Sequence, residues 1–351
     1  MRLTSASQCL NQGGRCLESD NLAGISTSKP ERAITKMLSY WLQKFRNLRV
    51  DRACKTPAPH KPLLLLAIID FVENGVIDNP CVYLSPELAF RFLGYWESVG
   101  ARGRLVGRVE LPFFYLRSDS IISHVAREGL SAAMASIRPR SVESLNRVIS
   151  HAELPVELFN LMQDERNRAA MRKVLLEGDW FLPEERQKLN VILGIEETSH
   201  CASHPNCSPQ EEEIQLGRDI RFRLQIVPIY GYACVLCGVK MLLPSGITLV
   251  EAAHIHQFSK SRNDDVTNGM ALCRNHHWAF DQGLWTLGSD FEVIVATAAF
   301  FEDAPNQMPL RAYQSSQVDL SYLAREHRPN QKHLDWHRRH KFVGAIDSGV
   351  A

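Results

Sequence analysis

The sequence predicts an α+β protein in which helices dominate, with a helix-rich first domain and a smaller, metal-stapled second domain. Its 351 residues exceed what one ordinary hydrophobic core accommodates, which favours two domains. Apolar residues recur at helical spacing through the first half of the chain. Residues 234–281 contain cysteine and histidine pairs at the spacing of metal ligands.

The composition is that of a soluble globular protein, with 45% hydrophobic and 23% charged residues. No apolar run approaches the roughly 20 residues that span a bilayer, so no membrane partner is expected. The net charge of +1 neither favours nor excludes nucleic acid, because local clusters set the field near phosphates. Nine cysteines and no signal-peptide pattern predict a reducing, cytoplasmic location and a metal site rather than disulfides.

Changes in composition divide the chain into five expected segments. They are a disordered extension over 1–36, a first domain over 37–195, a linker over 196–210, a second domain over 211–301 and a loosely packed tail over 302–351.

The first domain is expected to be organised around residues 62–75, which are apolar on nearly every helical face and therefore buried. A second helix is predicted from Ser85 to about Trp96, with serine as its cap. A glycine- and arginine-rich loop over 100–108 follows, and then residues 111–116, which are predicted to form a strand.

The second domain contains two pairs of metal-type ligands. Cys234 and Cys237 form a C-x2-C pair, and Cys273 and His276 form a C-x2-H pair. Four such ligands suit a tetrahedral structural Zn²⁺, which would stabilise a domain too small to bury a sufficient core. The alternative is buried free cysteines, which ligand spacing in both pairs disfavours.

Three further polar residues accompany these ligands. His254 ends a short apolar strand, Asn268 precedes an apolar run, and His277 follows His276 on a predicted helix, so the two histidines point in different directions. A lone buried histidine is usually only hydrogen-bonded, but three polar residues on one small zinc scaffold favour catalysis. Residues 263–265 are interpreted as an ordinary surface turn.

This segment resembles the HNH endonucleases, the ββα-metal family, in their McrA-type zinc-containing form. Residues 252–255, 268–273 and 276–281 carry the resemblance, which covers the whole second domain. It implies that His254 is the general base, that His277 is a ligand of a catalytic Mg²⁺ or Mn²⁺, and that Asn268 positions the base or completes the metal site.

The second protein ligand of the catalytic ion is left open. Many members of the family have an acidic ligand immediately before the base, where this chain has Ala253. His256, Asp281 and Glu251 are the candidates.

The first domain resembles the sulfur-binding domains that recognise phosphorothioate DNA. Residues 58–66, the arginine loop and residues 111–119 carry this resemblance. It implies a surface for double-stranded DNA with phosphate or guanine contacts and a shallow apolar seat for sulfur. The expected DNA-binding residues are His60, Lys61, Arg102, Arg104, Arg108, Leu111, Pro112 and Tyr115. Methylated or unmodified DNA are the alternatives.

Together these observations predict a restriction endonuclease that reads duplex DNA with one domain and cuts it with the other. A homodimer is expected, because cutting both strands needs two active domains. The alternative of a different class is a non-catalytic zinc module that binds DNA, in which Ala253 leaves the second site poor in ligands.

Overall fold

The computed structural model describes residues 29–53, 55–99, 106–195 and 209–345. It combines helices with three small antiparallel sheets, and its buried apolar residues form two clusters. Within the described residues, no helix is both long and apolar enough to cross a bilayer.

The first cluster is surrounded by nine helices and one sheet of the described chain. The helices are α1 (Lys29–Arg46), α2 (His60–Glu73), α3 (Pro86–Trp96), α4 (Glu110–Tyr115), α5 (Ser131–Ser136), α6 (Val142–Asn146), α7 (Val156–Met162), α8 (Glu165–Leu176) and α9 (Pro183–Ile192). The strands are β1 (Cys81–Val82), β2 (Ser123–Ala126) and β3 (Ile149–Glu153), in the spatial order β1-β3-β2.

Helix α2 is the centre of this domain, as its apolar sequence predicts. Every residue from 60 to 72 is buried, so the helix has no solvent face. Its one buried acid, Asp70, is paired with Arg172 at 2.7 Å and accepts a hydrogen bond from the Tyr95 hydroxyl. A buried carboxylate needs such partners because an unpaired charge in the core is strongly unfavourable.

The predicted strand over residues 111–116 is wrong. These residues belong to α4 and a following 3₁₀ turn, Leu116–Asp119, and α4 packs against α2. The adjacent Phe113 and Phe114 are both buried, so the run has no periodicity that separates helix from strand. The extension expected over 1–36 also includes helical residues, since α1 begins at Lys29; residues 1–28 lie outside the described ranges.

Helix α10 (Pro209–Ile229) joins the two clusters. Leu224 and Val227 pack into the first cluster, whereas Phe222 and Ile226 pack into the second. Contact with α3 is so close that a Cβ on Gly94 would lie 2.6 Å from a Leu224 methyl carbon. The last two residues of the expected linker are part of this helix; residues 196–208 lie outside the described part of the chain.

The second domain is built on a hairpin between helices. Its elements are β4 (Val250–His254), α11 (Phe258–Ser261), β5 (Gly269–Cys273), α12 (Arg274–Asp281), β6 (Trp285–Leu287), β7 (Val293–Val295) and α13 (Gln331–His340). Strand β4 pairs antiparallel with β5, and β6 pairs antiparallel with β7. The register places His254 opposite Gly269 and Val250 opposite Cys273.

The segment expected to be a loose tail is folded as far as the structure describes it, to residue 345. Leu310, Leu320, Leu323 and Leu334 are buried in the second cluster. On α13, His337 stacks on Phe280 with ring centroids 3.8 Å apart. Most of this segment is polar and its apolar residues follow no sustained helical or strand period, so the sequence does not reveal their burial.

Candidate active site and metal centre

The four predicted zinc ligands lie together. The sulfurs of Cys234, Cys237 and Cys273 and a ring nitrogen of His276 are all within 4.8 Å of one another. The Nδ1 atom of His276 is 3.4 Å from the sulfur of Cys234 and 3.3 Å from that of Cys273. Zinc bonds of about 2.0–2.3 Å in a tetrahedron separate the ligands by about 3.5–3.8 Å, so these four residues fit a structural Zn²⁺.

Local backbone geometry brings the first pair of ligands together. The amide of Gly238 donates to the Cys234 carbonyl at 2.8 Å, and the Cys234 amide donates to the Val239 carbonyl at 2.9 Å. Gly238 has a φ of +70°, a conformation that suits glycine. The resulting turn directs both cysteine side chains to the start of α12, where Cys273 and His276 lie.

The thiols of this centre interact with one another. A hydrogen bond between Cys234 and Cys273 lowers the pKa of Cys234 and raises the pKa of Cys273 to about 11, and burial raises the pKa of Cys237. Zinc binds thiolates, so it must displace these protons, and its binding should weaken in acid.

The β4–β5 hairpin is covered on two faces. Phe222 and Ile226 of α10 lie so close to Gly269 that a Cβ there would be 2.4 Å from an Ile226 methyl carbon. On the other side, α12 reaches β4 through Glu251, whose carboxylate binds Arg274 and His277. Side chains alternate along a strand, so Glu251 and His254 belong to opposite faces of β4.

His254 belongs to the face covered by α10. Its ring stacks on Phe222, with centroids 3.8 Å apart and planes within 4°. Its Nε2 atom is 2.9 Å from Asp264 Oδ1, and Asp264 Oδ2 accepts hydrogen bonds from Arg218 at 2.7 and 3.0 Å. The Nδ1 atom has no hydrogen bond within the described structure. The arrangement fixes the ring and leaves one nitrogen available as a base.

Asp264 is held as a carboxylate. Burial raises its pKa, but the His254 hydrogen bond and the Arg218 guanidinium outweigh that effect and keep the pKa below its usual value. The interpretation of residues 263–265 as a plain surface turn is therefore wrong for Asp264. Asp265 fits it better, since it caps the 3₁₀ turn Val266–Asn268. Only the folded chain shows that Arg218, 46 residues earlier, meets this loop.

Asn268 is completely buried and bonded to backbone. Its Nδ2 donates to the carbonyls of His256 and Asn263, both at 2.9 Å, and its Oδ1 accepts from the His256 amide at 2.8 Å. The amide side chain thus ties both ends of the loop that carries Asp264 to the start of β5. Of the two roles predicted for it, this geometry suits positioning of the base and not metal ligation.

His277 lies between two carboxylates on the face covered by α12. Its Nδ1 is 3.0 Å from Glu251 Oε2, and its Nε2 is 3.5 Å from Asp281 Oδ2, one helical turn further along α12. The two carboxylates approach opposite nitrogens, so the three side chains do not converge on one point. An ion can bind between Nε2 and the Asp281 carboxylate. Glu251 then accepts a hydrogen bond from Nδ1–H and so fixes the tautomer of His277.

His256 is not near the other proposed ligands of the catalytic ion. Its ring stacks on Trp336 of α13 with centroids 3.9 Å apart and lies 5.9 Å from the ring of His333. Among the described residues, no hydrogen bond, ion pair or ring contact connects His256 with His277. Nor does one connect His277 with His254.

Five of the predicted DNA-binding residues line one cavity in the first domain. The cavity has a volume of about 360 Å³, and His60, Lys61, Leu111, Pro112 and Tyr115 are among its lining residues. Tyr115 is 48% exposed, so its ring lies at the surface. Helix α4, rather than a strand, presents Leu111, Pro112 and Tyr115.

The basic residues at this cavity have protein partners. Lys61 donates to Asp119 and to the Arg49 carbonyl, both at 2.6 Å, and is buried. His60 bonds to the Val106 carbonyl at 2.9 Å and lies against the ring of Trp96.

The third group of predicted DNA contacts is the arginine loop. Arg108 donates to Glu110 at 2.7 Å and to the Arg140 carbonyl at 2.6 Å, so its guanidinium is engaged within the domain. Arg102 and Arg104 lie outside the described residues.

Comparison with known protein families finds a match for the segment that contains the cysteine and histidine cluster. Residues 234–288 match the HNH endonuclease family model. The match confirms the HNH resemblance of the segment that contains the cysteine and histidine cluster, the hairpin strands and α12. It covers a small part of the 351-residue chain, and the sulfur-binding resemblance of the first domain stays a prediction.

One solved structure and the curated proteins complete the comparison. The chain is similar to the modification-dependent TagI restriction endonuclease, with 19% identity and a TM-score of 0.29, over 37% of this chain and 40% of that one. The likeness therefore spans less than half of either chain, and a TM-score of 0.29 does not indicate a shared fold. No curated protein matches.

Proposed function

We propose that this protein is a metal-dependent restriction endonuclease that hydrolyses phosphodiester bonds of duplex DNA with its HNH segment. The main support for the proposal is the position of the His254 imidazole. Asp264 binds the ring directly, Arg218 binds Asp264, and the hairpin lies in the segment that matches the HNH family. A carboxylate-oriented imidazole at a strand end is what activation of water requires.

His254 acts as the general base. Because Asp264 accepts a hydrogen bond from Nε2–H, the neutral ring presents an unprotonated Nδ1 to water. Nδ1 takes a proton as the water oxygen bonds to phosphorus and the bond from phosphorus to the 3′ oxygen breaks. The leaving 3′ oxygen takes a proton from solvent, which yields a 5′ phosphate and a 3′ hydroxyl. The developing imidazolium is stabilised by the Asp264 carboxylate.

His277 and Asp281 would hold the catalytic divalent ion. One imidazole nitrogen and one carboxylate form a sparse ligand set, which suits Mg²⁺ or Mn²⁺ because these ions keep water and substrate phosphate oxygens as further ligands. When bound, the ion supplies charge stabilisation at the scissile phosphate and the leaving oxygen. Helix α12 starts directly after Cys273, the partner of Val250, and its His277 meets Glu251 of β4, the strand that ends at His254.

The first domain selects the DNA. Its cavity combines an apolar wall, Leu111, Pro112 and Tyr115, with the buried basic residues His60 and Lys61. A sulfur that replaces a phosphate oxygen is larger and less hydrated, so an apolar seat favours it over oxygen. We propose phosphorothioate DNA as the preferred ligand, and two copies of the chain for a cut through both strands.

The test is cleavage of supercoiled plasmid by the purified full-length protein. We expect nicked and linear products with Mg²⁺ or Mn²⁺, 5′-phosphate ends, and no product with a chelator. The alternative is a zinc module that binds DNA without cutting it. The buried Ala253 favours this alternative, because it stands where many family members have an acidic metal ligand. The alternative predicts DNA binding without cleavage under every metal condition and on every modified plasmid, which would refute the nuclease.

A further inference from the structure

A second group of metal-type ligands lies on the sheet of the first domain, remote in sequence from the HNH segment. His151 and Glu153 are two residues apart on the central strand β3, and Cys81 on the edge strand β1 is the direct cross-strand partner of Glu153. The Cys81 sulfur, a His151 nitrogen and a Glu153 oxygen are all within 4.8 Å of one another.

Strand alternation explains why these three side chains meet. Between them in the register lie Val82 and Ala152, which are 1% and 0% exposed and face the core. Residues 81, 151 and 153 therefore share the opposite, outer face of the sheet. Packing requires only apolar residues on the inner face, so it does not account for a thiol, an imidazole and a carboxylate brought together on the outer one.

The donor set indicates which ion would bind. A thiolate, an imidazole and a carboxylate together suit Zn²⁺, whereas Mg²⁺ and Ca²⁺ prefer oxygen ligands alone. His151 Nε2 is 3.7 Å from Glu153 Oε1, a separation that one ion can bridge. The other nitrogen, Nδ1, is 3.2 Å from the Ser150 hydroxyl, a partner that can hold the Nδ1 proton and leave Nε2 for metal.

We propose that Cys81, His151 and Glu153 form a second zinc site, independent of the Cys234 centre and of nuclease chemistry. Three protein ligands on a partly exposed face leave the fourth position to water. The ion joins the two-residue edge strand β1 to the centre of the sheet. Such an exposed site exchanges its metal more readily than the buried four-ligand centre.

The test is protection of the Cys81 thiol in the full-length protein. Alkylation of Cys81 is followed by peptide mass spectrometry during titration with Zn²⁺, and with Mg²⁺ as the control ion. We expect Zn²⁺ to slow alkylation of Cys81 at least ~10-fold, since a zinc-bound thiolate is a poor nucleophile, and Mg²⁺ to have no effect.

Variants separate a three-ligand site from zinc on a lone thiol. In His151→Ala and Glu153→Gln, half-protection should need at least ~10-fold more Zn²⁺, whereas Glu157→Gln, an exposed acid on α7, should match wild type. Zn²⁺ should also raise the Tm of wild type more than that of Cys81→Ser. Absence of protection, or equal protection in wild type and His151→Ala, would overturn the proposal without bearing on the nuclease.

Discussion

At the residue scale, His254 and His277, the two histidines of the three-residue HNH motif, are each hydrogen-bonded to a carboxylate. Asp264 binds one nitrogen of His254, and Glu251 binds one nitrogen of His277. In each case the other nitrogen is the one that we propose for chemistry, as a base or as a metal ligand. Neither carboxylate forms part of the three-residue motif, so substitutions at these supporting positions test the roles assigned to the histidines.

The variant Asp264→Asn tests the orientation of the base. The asparagine amide can donate a hydrogen bond to Nε2 and so favour the tautomer protonated on Nδ1, and we expect the single-turnover cleavage rate to fall roughly 10²-fold or more. DNA affinity, measured by fluorescence anisotropy without metal, should not change. Asp290→Asn, an exposed acid of the same domain, is the matched control. A cleavage rate equal to that of this control would remove Asp264 from the mechanism.

The variant Asp281→Asn tests the catalytic metal site. Loss of one of two protein ligands should raise the Mn²⁺ concentration for half-maximal cleavage at least ~10-fold, with part of the rate restored at saturating metal. The measurement is a Mn²⁺ titration of plasmid nicking, with Asp290→Asn again as control. An unchanged titration curve would contradict the assignment and direct attention to Glu251.

At the element scale, the sequence predicts what depends on near neighbours. Local spacing predicts the two pairs of metal-type ligands, the buried helix α2 and the serine cap of α3. The structure contains each of these features. It does not predict contacts between distant elements. Arg218 of α10 meets Asp264, and α13 completes the second core, because both contacts require the chain to be folded first.

Helix α13 makes the second domain sensitive to acid. Burial lowers the pKa of His337 to about 4, and the ring bonds to Thr286 and Phe280 as the neutral form. The unfolded chain binds this proton from pH 6.5 downward while the folded chain does not, so stability falls as the pH drops from 6.5 toward 4.

We therefore expect a specific difference between wild type and His337→Gln. Between pH 8 and pH 5, the free energy of unfolding of wild type should fall by about 2 kcal/mol more than that of the variant. Urea denaturation at the two pH values measures this, and because both proteins contain the same cysteine and histidine cluster, the pH dependence of that cluster cancels. Equal losses in the two proteins would show that His337 is not neutral in the folded state.

At the scale of the whole molecule, α10 links the first domain to the β4–β5 hairpin. Leu224 and Val227 pack in the first core, while Phe222 and Arg218 contact His254 and Asp264. The helix that joins the domains therefore also positions the proposed base. In the proposed nuclease, this arrangement connects the position of the first domain on DNA to the geometry of the proposed base.

The preference for phosphorothioate DNA is assigned to the first domain, so it is tested separately from cleavage. We expect phosphorothioate plasmid to be cut faster than methylated or unmodified plasmid, and Tyr115→Ala to lose that preference by ~10-fold or more, an effect of about 1.4 kcal/mol. Tyr83→Ala, which changes another exposed tyrosine of the same domain, is the control. Indifference of wild type to sulfur would refute the reader assignment and leave the nuclease assignment standing.

The proposed metal-dependent nuclease requires His254 as its general base. Its most direct test is the single-turnover rate of plasmid cleavage by wild type, His254→Ala and the control His327→Ala, with DNA affinity measured in parallel. We predict that His254→Ala binds DNA as wild type does and cuts at least ~10²-fold more slowly, whereas His327→Ala cuts normally. Cleavage by His254→Ala at the wild-type rate would contradict the account.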